Sequence, residues 1–278
     1  LCNINVFYDI KPYCLTIYMV EISVVVPVRN ESENIKLFLQ STENTLNKLG
    51  KSYEIIFSLD PSTDDTENII LNEIKRNKNI KLLVLSRRFG QPAATMAGIN
   101  YCKGSYCVVI DVDLQDPPEL IEKMYDKIIS GYDVVYAKRK SRKGETFIKR
   151  KISSLGYYLI NKLSDVHIPR EAGDYRIVSR KVINQLNELN ESHGFLRGMV
   201  AFVGFNQAHV EYDRQERSAG KSKYNKFFGS LKIGLNGLIG FSSRPLFIMS
   251  IVGFVLAFLS FLLGMWYIFQ KISGISLT

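Results

Sequence analysis

Short apolar runs alternate with helical patterns through the first half of the chain. The run ISVVVPV at residues 22–28 is continuous and rich in β-branched side chains, which is typical of a strand buried on both faces. A polar turn follows it, and apolar residues then recur at helical spacing as far as Leu46. The same succession of strand, turn and helix recurs three times. Its strands are predicted at 53–59, 81–86 and 106–112, and its helices around 69–74, at 92–102 and from Pro118.

Four strand–helix units at this spacing predict an α/β fold with a mostly parallel sheet. In such sheets, ligands bind beyond the carboxyl ends of the strands. Polar residues lie at that end of three of the predicted strands, namely Asn30, Glu31, Asp60, Asp111 and Asp113. We therefore expect these side chains to form one functional rim.

A second pattern dominates the end of the chain. Residues 246–269 contain 24 consecutive positions without a charge, which exceeds the roughly 20 residues that a helix needs to cross a bilayer. This predicts a transmembrane helix; the alternative is a helix buried in a protein core. In residues 223–245, apolar residues such as Phe227 and Leu231 recur at helical spacing, with Lys226 and Lys232 between them. That segment predicts an amphipathic helix in the membrane interface, or one packed on the catalytic domain.

These patterns divide the chain into five parts. They are an N-terminal extension at 1–20, a catalytic domain at 21–222, a juxtamembrane segment at 223–245, a transmembrane helix at 246–270 and a tail at 271–278. Because the chain opens on Leu1 and stops soon after one apolar segment, we expect it to be a piece of a protein with a further span.

The net charge of +9 is unevenly distributed. Residues 138–244 carry 21 Lys and Arg against 9 Asp and Glu, whereas residues 1–137 carry 14 against 18. A basic flank ahead of an apolar segment indicates a cytoplasmic side, so we expect the catalytic domain on the cytoplasmic face of the cell (inner) membrane. A basic module that binds nucleic acid or anionic lipid is the alternative, but it needs no acids at strand ends, so no nucleic-acid partner is expected. The four cysteines show no metal-ligand spacing and are expected to be reduced.

The segment IDVDLQDPPELI at residues 110–121 carries the clearest chemistry. Side chains alternate along a strand, so Asp111 and Asp113 are expected to face the same way, with Gln115 next on that face. Such oxygen ligands suit Mg²⁺ or Mn²⁺ that also binds a diphosphate. The alternative is that the acids cap the following helix, a role for which Asp116 is well placed.

Six motifs then occur in order along the chain. They are SVVVPVRNESENI, PSTDDT, SRRFGQPAATMAGI, DVDLQDPPELI, AGDYRIVSRKV and AGKSKY. The ordered set resembles the family 2 glycosyltransferases of the GT-A fold, and more narrowly the polyprenyl-phosphate glycosyltransferases, over roughly residues 21–270. The resemblance implies a Rossmann-like α/β catalytic domain with a mostly parallel sheet, followed by an interfacial helix and a C-terminal transmembrane helix.

The resemblance also implies which residues hold the donor. The first-strand loop would bind the nucleotide through Pro27, Arg29, Asn30 and Glu31. Asp60 would contact the base, although the usual Asp-Asp-Gly-Ser reads Leu59-Asp60-Pro61-Ser62 here. The DxD segment would bind the metal and the nucleotide sugar through Asp111, Val112 and Asp113, with Gln115 as a third metal ligand. Arg217 and Lys223 would lie in a loop that closes over the donor diphosphate.

The acceptor residues implied by the resemblance lie in the basic half. Arg139, Arg150 and Ser154 match positions that grip the phosphate of a lipid acceptor, and Asp174 matches the acidic residue that acts there. Asp174 and Asp113 are the residues expected to be catalytic. A phosphate monoester has a second pKa near 6, so whether Asp174 removes a proton or orients the acceptor is left open.

We therefore expect a membrane-anchored, metal-dependent, inverting glycosyltransferase. Its donor would be UDP-glucose and its acceptor undecaprenyl phosphate. Two alternatives of the same fold are an enzyme of the dolichol-phosphate-mannose type that uses GDP-mannose, and a processive polysaccharide synthase. The synthase typically carries a Gln-x-x-Arg-Trp motif, and the single Trp of this chain, Trp266, lies in the apolar segment. Whether the protein is a homo-oligomer is left open.

Overall fold

The computed structural model describes residues 20–140, 172–189, 196–213 and 244–273. Within these residues, seven strands form one sheet. The strands are β1 Ile22–Val28, β2 Tyr53–Leu59, β3 Ile80–Val84, β4 Tyr106–Val109, β5 Val134–Arg139, β6 Ala172–Ser179 and β7 Gln207–Tyr212. The helices are α1 Ile35–Leu49, α2 Thr66–Arg76, α3 Gln91–Tyr101, α4 Leu120–Ile129, α5 Arg180–Glu188, α6 Leu196–Phe202 and α7 Arg244–Ile272.

The sheet is mostly parallel, as predicted. Its strand order is β3-β2-β1-β4-β6-β5-β7, and β1, β2, β3 and β4 pair in parallel. Strand β6 runs antiparallel to both of its neighbours, β4 and β5, whereas β5 and β7 are parallel. The four predicted strand–helix units are confirmed as β1–α1 to β4–α4, and their strands end at one edge of the sheet.

Helices cover both faces of the sheet, and the central strands contribute apolar residues to each face. Val24 and Val26 of β1 pack in one buried cluster with residues of α1 and α4. Val25 packs in a second cluster with residues of α3, α5 and α6. Continuous apolar runs such as ISVVVPV therefore supply two cores at once, which is how a strand buried on both faces contributes to stability.

The described part of the chain contains one helix that is long and apolar enough to cross a membrane. It covers Leu246–Ile272, has a mean hydropathy of 2.7, and is not buried within the described structure. The prediction of a long apolar C-terminal helix is confirmed. The amphipathic segment at 223–243 lies outside the described residues, so the interfacial helix stays a prediction.

Candidate active site

The loops after β1 and β2 are held together by hydrogen bonds between their two motifs. The Asn30 amide nitrogen donates to Ser62 Oγ at 3.0 Å, and the Thr63 amide nitrogen donates to Asn30 Oδ1 at 2.8 Å. The Glu31 amide nitrogen donates to Thr66 Oγ1 at 2.9 Å. Asn30 has a φ of 51°, a left-handed conformation that asparagine tolerates better than most residues. The RNES and PSTDDT motifs therefore form one surface.

Asp60 extends this connection to the start of α3. Its side chain is buried and accepts hydrogen bonds from the backbone amides of Phe89 at 3.1 Å and Gly90 at 2.8 Å. Gly90 has a φ of 94°, which only glycine adopts readily. The carboxylate thus shapes the loop that begins α3. Its expected contact with a nucleotide base stays a prediction.

The start of α3 in turn touches the loop after β4. Gln91, the first residue of α3, donates from Nε2 to Asp111 Oδ1 at 2.7 Å. Sequence reasoning did not select Gln91, although it lies inside the quoted motif SRRFGQPAATMAGI. With this bond, hydrogen bonds link the loops after all four parallel strands into one rim.

The carboxylates of the DxD segment lie in a turn. Strand β4 ends at Val109, three residues before the predicted end, and Leu114 adopts a left-handed φ of 57°. The amide nitrogen of Gln115 donates to Asp113 Oδ1 at 3.2 Å, and Asp113 is buried. Both carboxylates therefore lie beyond the strand, so strand alternation does not set their directions, and the expectation that they face the same way stays a prediction.

The ligand chemistry at this turn fits a divalent cation that is shared with a substrate. Within the described residues, no group of three or more His, Cys, Asp and Glu side chains could hold a metal by itself. Two carboxylates and the amide of Gln115 are hard oxygen ligands, and Mg²⁺ and Mn²⁺ commonly take their remaining ligands from water and phosphate. Asp111, Asp113 and Gln115 therefore fit a cation that is completed by a diphosphate.

Asp116 anchors this turn to the far side of the sheet. Its carboxylate is buried, accepts a hydrogen bond from Tyr212 Oη and lies 3.9 Å from Arg139 Nη2. Burial and the neighbouring Asp116 raise the pKa of Tyr212 to about 12, so its hydroxyl remains a donor. The residue at the N-cap of α4 is Glu119, which makes no side-chain capping bond. The structure thus gives Asp116 partners on β5 and β7 in place of the capping role considered from the sequence.

Arg139 belongs to the same cluster. It is the last residue of β5, and its Nε donates to Tyr212 Oη at 3.3 Å. Together with the contact to Asp116, this places a predicted acceptor arginine beside the turn that carries Asp111 and Asp113. Among the described residues, Arg139 therefore lies close to the turn of the predicted metal ligands.

Asp174 lies on β6, next to β4. In the antiparallel register Val109, the last residue of β4, lies opposite Arg176, so Asp174 lies two residues beyond this pair, towards the edge at which β4 ends. Arg197 of α6 donates to both carboxylate oxygens, from Nε at 2.8 Å and from Nη2 at 3.2 Å. Burial opposes ionisation of Asp174, but the charge and hydrogen bonds of Arg197, aided by the charges of Arg176 and Arg139, hold its pKa below the usual range.

Arg176 stabilises the backbone of β6 around Asp174. It is buried, and burial lowers its pKa to about 10 despite the opposing charge of Asp174. Its guanidinium donates to the carbonyl oxygens of Gly173 at 2.8 Å and Asp174 at 3.3 Å. Arg176 therefore braces the backbone that presents the Asp174 carboxylate.

The remaining predicted residues divide into two groups. Pro27 is a buried residue of β1, Val112 is buried in the DxD turn, and Arg29 is half-buried at the start of the loop after β1. The other predicted contacts, which are Arg150, Ser154, Arg217 and Lys223, lie outside the described residues. Their roles stay predictions.

Comparison with known proteins gives a consistent picture. Residues 23–186 match the sequence model of glycosyl transferase family 2. The bactoprenol glucosyl transferase of Shigella phage SfX is 37% identical over 252 residues, which cover 91% of this chain and 82% of the relative.

Solved structures share the fold at low sequence identity. Glucosyl-3-phosphoglycerate synthase from Mycobacterium tuberculosis, solved with Mn²⁺, UDP and phosphoglyceric acid, is 18% identical with a TM-score of 0.56, over 77% of this chain and 75% of that one. A mannosyltransferase from Pyrobaculum calidifontis, solved with GDP-mannose and Mn²⁺, is 16% identical with a TM-score of 0.53, over 74% of this chain and 59% of that one.

Proposed function

The chain belongs to glycosyl transferase family 2, and on that premise we propose that it transfers a hexose from a nucleotide sugar to the phosphate of a polyprenyl lipid. Family membership makes the protein a glycosyltransferase. The relative named as a bactoprenol glucosyl transferase supports glucose as the sugar and a polyprenyl lipid as the acceptor. UDP-glucose and undecaprenyl phosphate are accordingly the proposed substrates.

One structural observation carries the proposal. Arg139 approaches Asp116 to 3.9 Å, so a cation suited to a phosphate acceptor lies beside the turn that bears the proposed metal ligands. The reaction brings an acceptor phosphate close to a donor diphosphate, and these negative charges repel each other. A transferase of this kind therefore needs a cationic residue and a metal site close together. The apolar helix α7 is consistent with an acceptor that remains in a membrane.

The donor would lie along the rim formed by the first four loops. The linked loops after β1 and β2 would hold the nucleotide through Arg29, Asn30, Glu31 and Asp60. Asp111, Asp113 and Gln115 would hold Mg²⁺ or Mn²⁺, and the two solved structures named above, which share this fold, contain Mn²⁺. When bound, the cation would offset the negative charge of the leaving diphosphate.

The acceptor phosphate would attack the anomeric carbon in a single displacement. A new bond forms between a phosphate oxygen and that carbon, the bond to the diphosphate breaks, and its electron pair leaves with the nucleoside diphosphate, which inverts the anomeric configuration. The acceptor needs no strong base, since a phosphate monoester with a second pKa near 6 is mostly deprotonated at neutral pH. Asp174, whose pKa is lowered, is a weak base. We assign it an orienting role.

Nucleoside diphosphate release provides the test. Purified full chain in lipid vesicles is supplied with UDP-glucose, with and without undecaprenyl phosphate, and UDP is measured. Release should require the lipid phosphate and added Mg²⁺ or Mn²⁺, and Asp111→Asn and Asp113→Asn should each lower it by roughly 10²-fold or more. Full activity of metal-free protein in excess EDTA, or release that ignores the lipid phosphate, would contradict the proposal.

A further inference from the structure

The side chains of Arg197 and Asp174 form a two-point ion pair between α6 and β6. The residues are 23 positions apart, and the two donor–acceptor distances are 2.8 and 3.2 Å. Helix α6 is fixed by its buried residues Leu196, Met199 and Val200. The guanidinium therefore projects from a packed helix, and its planar fork defines the orientation of the carboxylate as well as its charge.

We propose that Arg197 is a positioning residue for the transfer reaction, which holds the carboxylate of Asp174 in one orientation at the rim. This inference rests on the proposed function in one respect, namely that Asp174 acts on the acceptor. Arg197 would act through Asp174 and would not itself touch the donor.

The other arginines near Asp174 are engaged differently. Arg176 donates to backbone carbonyl oxygens of Gly173 and Asp174, and Arg139 donates to Tyr212 and lies near Asp116. Among the hydrogen bonds described in this structure, those that reach the Asp174 carboxylate come from Arg197. The direction of this carboxylate therefore depends on Arg197.

A purely stabilising role fits the pair poorly. The side chains of Arg197 and Asp174 are 24% and 40% exposed. Because part of each side chain reaches water, solvent screening reduces what the pair contributes to folding. The main effect of the pair is then to fix the position of the Asp174 carboxylate. This carboxylate lies on β6, the strand next to β4 and its DxD turn.

A double-mutant cycle tests the inference. The full chain and its variants Arg197→Gln, Asp174→Asn and the double variant are assayed in vesicles for kcat and for the KM of the nucleotide sugar. Arg197→Lys keeps the charge but loses the planar fork. Arg76→Gln is the control, because Nη2 of Arg76 also donates to both carboxylate oxygens of one glutamate, Glu43, at 2.8 and 2.9 Å, between α1 and α2.

If Arg197 acts through Asp174, both single variants lower kcat by roughly 10²-fold, and the double variant is no slower than Asp174→Asn. Arg197→Lys should fall between Arg197→Gln and the wild type. The donor KM should stay within about twofold, and Arg76→Gln should match the wild type. Should Arg197→Gln fail to fold, a reduced kcat of Arg197→Lys at unchanged donor KM supports the same conclusion.

Three results would overturn the inference. They are losses that multiply in the double variant, a kcat of Arg197→Lys equal to that of the wild type, and an Asp174→Asn variant with full activity. The acceptor in every assay is the one that the wild type glycosylates. If the wild type extended a polysaccharide, the proposed function would be contradicted. The double-mutant cycle could still be measured with that acceptor, so the two failures are distinguishable.

Discussion

The side-chain amide of Gln91 donates a hydrogen bond of 2.7 Å to the carboxylate of Asp111. This bond joins the first residue of α3 to the turn after β4. Because Asp60 holds the preceding Phe89–Gly90 loop, the position of Asp111 depends on residues from three consecutive strand–helix units. If Asp111 is the metal ligand proposed above, its partner Gln91 should influence metal affinity, because groups that orient a ligand usually do.

Replacing Gln91 with alanine should therefore weaken metal binding by roughly 10- to 100-fold. The affinity can be measured by titrating Mn²⁺ into the full chain with saturating UDP and following the spin signal of free Mn²⁺. Gln185→Ala is the control, since Gln185 donates a comparable bond of 2.9 Å to Glu188 on the exposed side of α5. Equal affinities for the two variants would show that Gln91 does not orient a ligand.

Arg139→Ala should impair use of the acceptor. Losing one charge-assisted phosphate contact costs about 1.5–3 kcal/mol, which should appear as a higher KM for the lipid phosphate at an unchanged donor KM. The neighbouring Lys138 is a matched control, because it pairs with Glu211 at 3.1 Å on the surface. If Arg139→Ala weakened nucleotide binding and spared the acceptor, the assignment of Arg139 would be wrong.

The local pattern of apolar residues was enough to predict β1 and β2, whose predicted bounds agree with the structure, because turn-forming residues flank each apolar run. The same pattern predicted the end of β4 three residues too late. Ile110 and Val112 continue the apolar run and are buried, although they lie beyond the strand. Strands β5, β6 and β7 were not predicted. Their sequences mix polar and apolar residues, as edge-side and antiparallel strands often do.

The candidate site was predicted in part from strand ends and in part, at Arg139 and Asp174, from the family resemblance. Asp60, Asp111 and Asp113 could be selected because parallel strands bring their carboxyl ends to one edge. The partners Gln91, Tyr212 and Arg197 could not, since each reaches its carboxylate across 20 or more residues of sequence. The periodicity of apolar residues along the sequence does not indicate such tertiary contacts.

At the opposite edge of the sheet, Glu54 is a buried carboxylate with several donors. Ser23 Oγ donates at 2.5 Å, the Lys103 amide nitrogen donates at 2.7 Å, and Lys81 Nζ forms an ion pair. Burial opposes ionisation, but the hydrogen bonds from Lys81, Ser23 and Lys103 hold the pKa of Glu54 below its ordinary value of 4.5. The ionised form thus stabilises the folded protein.

Stability should accordingly fall in acid. A folded-state pKa below the unfolded value means that this contribution is complete above pH 4.5 and is lost as pH falls through the folded-state pKa. Glu54→Gln should be less stable at neutral pH by about 1–3 kcal/mol and should lose less on acidification. Thermal midpoints in detergent between neutral and acidic pH provide the measurement. Glu67→Gln is the control, because Glu67 is exposed on α2, and its thermal midpoint should change with pH as that of the wild type does. If the midpoint of Glu54→Gln also changed with pH as the wild type does, the stabilising role of ionised Glu54 would be contradicted.

Gly98 lets α3 approach the sheet. A Cβ atom at this position would collide with Val25 Cγ1 and would lie 2.8 Å from Ser58 Oγ. Gly98→Ala should therefore destabilise the protein by about 1–3 kcal/mol through overpacking. Thermal unfolding checks this, with Gly253→Ala as a control, because a Cβ atom at Gly253 meets nothing within 4 Å. An unchanged midpoint for Gly98→Ala would mean that the contact relaxes without cost.

Transfer of a labelled sugar to a lipid phosphate is the most direct measurement of the proposed activity. Membranes that contain the full chain are incubated with radiolabelled UDP-glucose, GDP-mannose or other nucleotide sugars, and the organic extract is counted against Asp113→Asn membranes. We predict that UDP-glucose labels an extractable lipid phosphate, that added polyprenyl phosphate increases the label, and that Asp113→Asn abolishes it. Label confined to polysaccharide, or equal lipid label with the Asp113→Asn membranes, would contradict the assignment.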